Sequence, residues 1–177
     1  MEDLPDQAYR QTLETDVIPF YNEAINDGFE GIIVKDASAP YESGKRSKFW
    51  AKYKPPRIEL DVVILSARYG NGSRSSVFGS FDIGVKGSSG FVNVGAIGTG
   101  FSDVDLLSLT KQLRRLIESY KDAEYVFLPR IVLEITADLV SKDAEGNIGL
   151  RFPRMIRIRD DKYVNDINTL EDVIQLM

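Results

Sequence analysis

The stretch IELDVVILSARY, Ile58 to Tyr69, decides the fold. Rich in β-branched residues and bounded by KPPR before it and GNGSRSS after it, it reads as one long strand. VFGSFDIGV (77–85) and FVNVGAIG (91–98) follow, separated by KGSSG, so two consecutive hairpins are predicted. GTGFSD then leads into a helix. Ser102 stands three residues ahead of Asp105 and approximates a capping box, with Asp in place of the usual Glu. Leu106, Leu107, Leu109, Leu113, Leu116 and Ile117 give that helix an apolar stripe expected to end near Tyr120. RIVLEITADLV (130–140) and RFPRMIRIRDDK (151–162) read as two more strands, and Thr169–Leu176 as a short outer helix.

Three strands, a helix and two strands is the element order of an OB-fold, a five-stranded Greek-key barrel used, among other things, to bind nucleic acid. The predicted class is mainly β with α. Working outward, Pro55 and Pro56 break the strand pattern, which makes KPPR the domain boundary and divides the chain into 1–56 and 57–177. In the first part, Val17, Phe20, Tyr21, Ala24 and Ile25 recur at helical spacing, giving a helix over about Val17–Asp27 with Gly28 as its C-cap. EGIIVK (30–35) and FWAKYK (49–54) are two short strands beyond it.

The chain has 177 residues and 43% apolar content, enough for one packed domain or a domain plus part of another. It has no cysteine and no histidine, which excludes disulfides, thiolate metal sites, Cys or His nucleophiles and His general bases. Without a signal-peptide pattern or an apolar run approaching about 18 residues, an intracellular, non-membrane protein is expected. The formal net charge of -5 is unevenly spread. Ser43–Arg57 holds six basic residues and no acidic one, and Gly149–Lys162 five basic and two acidic, so these windows carry half of all 22 basic side chains. A polyanion can be held on such a surface, although a basic strip is more often a solvated face.

Alternation places Trp50, Lys52 and Lys54 on one side of their strand and Phe49, Ala51 and Tyr53 on the other. The lysines are either aimed at an anion or guard a sheet edge. Glu30, beside Gly31, is a candidate Mg2+ ligand or simply a solvated carboxylate. In the second window the same alternation puts Met155, Arg157 and Arg159 on one face and sends Ile156 and Ile158 toward the core. Arginine's planar fork suits phosphate oxygens. Asp161 and Lys162 form a local ion pair or a charged tip that moves onto a ligand.

Together these residues resemble the ATP-dependent DNA ligases, within the covalent nucleotidyltransferases. EGIIVK is similar to the family's fourth motif, KRSKFWAKYK to its fifth and RFPRMIRIRDDK to its sixth, in the right order and separation. IELDVVILSARYGNG and GAIGTGFSD resemble the ligase OB domain between them. The resemblance implies that residues 1–56 are the end of an adenylation domain, a helix and strand remnant ahead of the OB-fold, and that the complete enzyme seals nicks through lysyl-AMP and DNA-adenylate intermediates, using ATP and Mg2+. It implies Glu30 as the metal contact and Lys52 and Lys54 as catalytic contacts to the adenylate phosphate. Arg159, Asp161 and Lys162 would act in the first step. Lys35, Arg151 and Arg157 would add nucleotide contacts, and Arg46, Lys48, Arg151, Arg154, Met155 and Arg157 would face DNA, Met155 at a position that wedges into the minor groove.

The family's Lys-x-Asp-Gly motif is absent from the chain. The resemblance therefore implies the C-terminal part of a longer ligase, unable to adenylate itself, whose partners are nicked duplex DNA and the missing N-terminal domains, with a sliding clamp as a further candidate. The compartment implied is cytoplasmic and nucleoid-associated, or nuclear in a eukaryote. The uncovered strands of the first part imply self-association, partial disorder before about Pro55, or pairing with the missing portion. The alternatives are a non-catalytic OB-fold binding module, or part of an RNA ligase or capping enzyme.

Overall fold

A computed structural model describes residues 16–40, 43–44, 48–54 and 57–177. The chain divides into two compact units, Met1–Pro56 and Arg57–Met177. In the first, helix α1 (Ile18–Asn26) carries Pro near its start, where a missing N–H leaves no broken bond. It ends in a Schellman motif, the Phe29 N–H donating to Ala24 O (2.9 Å) and the Gly28 N–H to Ile25 O (3.0 Å). Strands β1 (Ile32–Lys35) and β2 (Trp50–Tyr53) pair antiparallel, with Ile33 opposite Lys52 and Lys35 opposite Trp50. Tyr21 of α1 meets Tyr53 of β2 edge to face at 4.7 Å. Among the described residues of this unit only Ala24 is a buried apolar side chain.

The second unit is the barrel. The decisive stretch is strand β3 (Ile58–Tyr69), followed by β4 (Phe78–Gly87) and β5 (Gly90–Ile97). Helix α2 (Asp103–Leu113) starts with the expected capping box, reciprocal between Ser102 and Asp105, and buries Leu106, Leu109 and Leu113. Strands β8 (Val132–Ala137) and β11 (Arg154–Ile158) complete a sheet in the order β11-β8-β3-β4-β5. Register shifts in the β3–β4 and β4–β5 pairings help that sheet to coil. The curl brings the end of β5 to the start of β11, where the Met155 N–H donates to Thr99 O (3.0 Å). Gly100 makes this closure possible. Its φ is +94°, and a β-carbon there would lie 2.2 Å from the Met155 carbonyl oxygen. The five strands with α2 between the third and fourth have the OB-fold order and curl. Phe78, Phe81, Phe127, Ile64, Ile83, Leu133 and Ile135 fill the interior. Helix α3 (Leu170–Ile174) packs outside, capped by Thr169.

Three expectations are corrected. The helix ends at Leu113 rather than near Tyr120, and 117–127 forms a hairpin, β6 (Ile117–Lys121) with β7 (Glu124–Phe127), turned at Asp122 and Ala123, both at positive φ. Leu116 packs against the core from the connection, so the apolar stripe continued past the helix without being helical. RIVLEITADLV is not one strand. It turns at Asp138, whose N–H donates to Arg151 O (3.0 Å), and continues as β9 (Leu139–Lys142), which pairs with β10 (Ile148–Arg151) in a separate two-stranded sheet. The basic strip is likewise split between β10 and β11.

Candidate phosphate and nucleic-acid interface

In the first unit the register of β1 on β2 gathers the predicted residues on one face. Lys35 and Trp50 are direct partners and the Lys35 Nζ lies 4.4 Å from the Trp50 ring centroid. The Lys54 Nζ donates to Glu30 Oε2 at 3.2 Å, joining the two basic and acidic segments. Gly31 permits this: its φ is +133°, and a β-carbon would stand 2.4 Å from the Tyr53 carbonyl oxygen. Lys52 is exposed on the same face and has no carboxylate partner among the described residues. Lys48 lies 5.1 Å from the ring centroid of its neighbour Phe49. Arg46 falls outside the described residues. As a metal ligand, Glu30 belongs to no group of three or more His, Cys, Asp or Glu side chains among the described residues. That fits a Mg2+ ion completed by phosphate oxygens and water, and not an all-protein cage.

In the second unit the basic strip divides into two halves of opposite electrostatic state. The C-terminal half is neutralised. Arg159 donates from Nε and Nη2 to the two carboxylate oxygens of Asp161, both at 2.9 Å, and from Nη1 to Asp61 (2.9 Å) and Glu134 (3.4 Å). Lys162 reaches Asp61 at 2.5 Å and Arg157 reaches Glu134 at 2.6 Å. The bonds from Arg159 hold the Asp161 carboxyl down at about 2, and the same carboxylate raises Arg159 above the ordinary guanidinium value. The N-terminal half is open. Arg151 and Arg154 are exposed and have no carboxylate partner among the described residues, and Arg151 stacks 5.5 Å from the Phe152 ring. Phe152 is 64% exposed at φ +51°, a conformation disfavoured for a bulky side chain.

Met155 is a correction. Expected to face DNA, it is 5% exposed and belongs to the barrel core. The cause is a bulge: Met155 pairs with Ile135 and Arg157 with Glu134, leaving Ile156 as the extra residue, turned outward at 43% exposure. The exposed apolar groups beside the unpaired arginines are therefore Phe152 and Ile156. Asp61, Glu134 and Phe152 were missed from sequence. A signal for the first two existed, because Asp61, like Glu59 two residues before it, and Glu134 are acidic residues set among apolar ones in strand-like stretches, IELDVVI and IVLEIT.

Comparison with known proteins follows the same division. A family model described as ATP dependent DNA ligase C terminal region matches residues 74–162, and one described as ATP dependent DNA ligase domain matches residues 7–54. A DNA ligase of Methanococcus maripaludis is 40% identical over 157 residues, covering 87% of this chain and 27% of that protein. One from Archaeoglobus fulgidus is 38% identical over 167 residues, covering 91% of this chain and 30% of its own length. The chain thus spans less than a third of these curated relatives. Among solved structures, the ligase domain of M. tuberculosis LigD aligns with a TM-score of 0.57 at 27% identity, over 84% of this chain and 50% of that one.

Proposed function

The chain belongs to the ATP-dependent DNA ligase family, and from that premise we propose that it is the portion of a DNA ligase that supplies phosphate contacts for nick sealing and grips the nicked duplex. The observation that carries this reading is the β1–β2 register, which sets Lys52 beside the Glu30–Lys54 pair on one exposed face. Phosphoryl transfer asks a protein chiefly to position phosphate oxygens and to balance their charge. Lys52 and Lys54 do this by hydrogen bonding to phosphate, Lys54 with its ammonium already oriented by Glu30. Lys35, braced on Trp50, adds a cation at the edge of the same face. Glu30 would hold a Mg2+ ion, which supplies further neutralisation of phosphate charge. ATP is the substrate of the complete enzyme, and the nucleophilic lysine is supplied by sequence other than these 177 residues, which contain no Lys-x-Asp-Gly.

On the barrel, Arg151 and Arg154 contact the DNA backbone, and Phe152 with Ile156 presents an apolar edge to the groove beside the nick. Arg157, Arg159 and Lys162 serve the polyphosphate of ATP, with Asp161 orienting Arg159. Nick sealing places the parent protein in DNA replication, repair and recombination, wherever its DNA resides.

The test is reconstitution. Mixed with Mg2+ and labelled ATP, the chain alone is expected to form no covalent protein-AMP. Adding a ligase fragment that carries the Lys-x-Asp-Gly motif should restore sealing of nicked duplex, and Lys52→Ala should reduce it by about 100-fold or more while the melting temperature stays put. Sealing that survives Lys52→Ala at full rate would sink the proposal.

A further inference from the structure

Asp61 and Glu134 face each other directly across β3 and β8, and Arg157 is the next partner along the same row. Two carboxylates directly opposite repel, and these are only 13% and 22% exposed, so the pair persists because cations lie between and beside them. Arg159 fills that place, with its side chain 16% exposed. Of its five N–H groups, four are engaged by Asp161, Asp61 and Glu134, leaving one for any ligand. Lys162 is held by the second oxygen of Asp61. Asp61 is itself fixed: its N–H donates to Asn168 Oδ1 at 2.8 Å, and the Asn168 N–H returns to its carbonyl at 3.2 Å. Three cations and three carboxylates make the cluster electrically neutral.

A neutral cluster whose arginine and lysine are already bound to carboxylates does not attract a single phosphate or a phosphodiester. It yields only to an anion whose charge is dense enough to replace several carboxylate bonds together. From this geometry we infer that Asp61 and Glu134 are specificity-determining residues, which occupy Arg159 and Lys162 so that a polyphosphate is accepted and a lone phosphate is not. The inference rests on the reading that these cations serve the polyphosphate of ATP. It adds the reason that the exposed Arg151 and Arg154 engage diesters while the adjoining Arg159 does not.

The experiment titrates the full chain with inorganic tripolyphosphate and with orthophosphate at low salt, by calorimetry. The wild-type protein is expected to prefer tripolyphosphate by about 30-fold or more, and Asp61→Asn to cut that preference by at least about fivefold, chiefly by strengthening orthophosphate. The gain should vanish in Asp61→Asn/Lys162→Met, which ties it to the released lysine. Should Asp61→Asn fail to fold, Glu134→Gln frees one Arg159 donor with Asp61 in place and is expected to move the ratio in the same direction. Unchanged affinities for both anions, or a parallel weakening of both, would overturn the inference. Since the readout is anion binding to the chain alone, it stands or falls apart from nick sealing by the reconstituted enzyme.

Discussion

Phe152 holds a left-handed backbone conformation that costs a bulky residue about 1–2 kcal/mol, and it exposes its ring rather than burying it. Neither feature serves stability. On the proposed reading, both serve a ring presented to DNA beside Arg151. Phe152→Gly therefore separates the two roles, because glycine adopts φ +51° without strain while removing the ring. The variant should melt at the wild-type temperature or slightly above it, yet bind nicked duplex about 5- to 100-fold more weakly. A variant that loses stability and keeps its DNA affinity would show instead that the ring is a packing element. Met155, by contrast, contributes packing alone, and the sequence misled there because period-2 alternation was carried through a bulge that it does not announce.

Most elements of the barrel were legible: the long β3, the two hairpins after it and the Ser102–Asp105 capping box all followed from alternation and turn chemistry. What escaped was decided by distant partners. The helix stripe ran on into Leu116 because the core needs an apolar group there whatever the local backbone does. The charge balance around Arg159 was unreadable because its partner Asp61 lies 98 residues away. On the candidate face of the first unit, the grouping of Lys52, Lys54 and Glu30 was partly visible, but the ion pair depends on Gly31 letting the strands approach. The closing contact between β5 and β11 depends similarly on Gly100, and this can be measured. Gly100→Ala combines a φ of +94° with a β-carbon driven against the Met155 carbonyl, and should cost about 3–4 kcal/mol in denaturant unfolding. Gly90→Ala, at φ +136° with open space around it, should cost only about 1–2 kcal/mol. Equal losses at the two glycines would mean that the closure is not held where the Thr99–Met155 hydrogen bond places it.

The two units are unequal in what holds them together. Residues 57–177 contain every buried apolar side chain of the described residues except Ala24. Residues 18–54 contribute a nine-residue helix and a two-stranded sheet whose β2 is exposed at all four positions, with Ile33, Trp50 and Tyr53 each more than 40% exposed. A lone two-stranded sheet is marginal in water, whereas a curled sheet around an aromatic core opens only with global unfolding. Native-state hydrogen exchange should therefore show β1 and β2 amides exchanging at least about 100-fold faster than those of β3, β4 and β8. If the apolar face of the first unit is meant for the rest of an adenylation domain, adding the Lys-x-Asp-Gly fragment should slow exchange in β1 and β2 and leave the barrel strands unchanged. Self-association would slow the same amides, but in proportion to protein concentration and without the fragment. Uniform protection across both units, independent of concentration and of the fragment, would contradict this division, since among the described residues of the first unit only Ala24 is a buried apolar side chain.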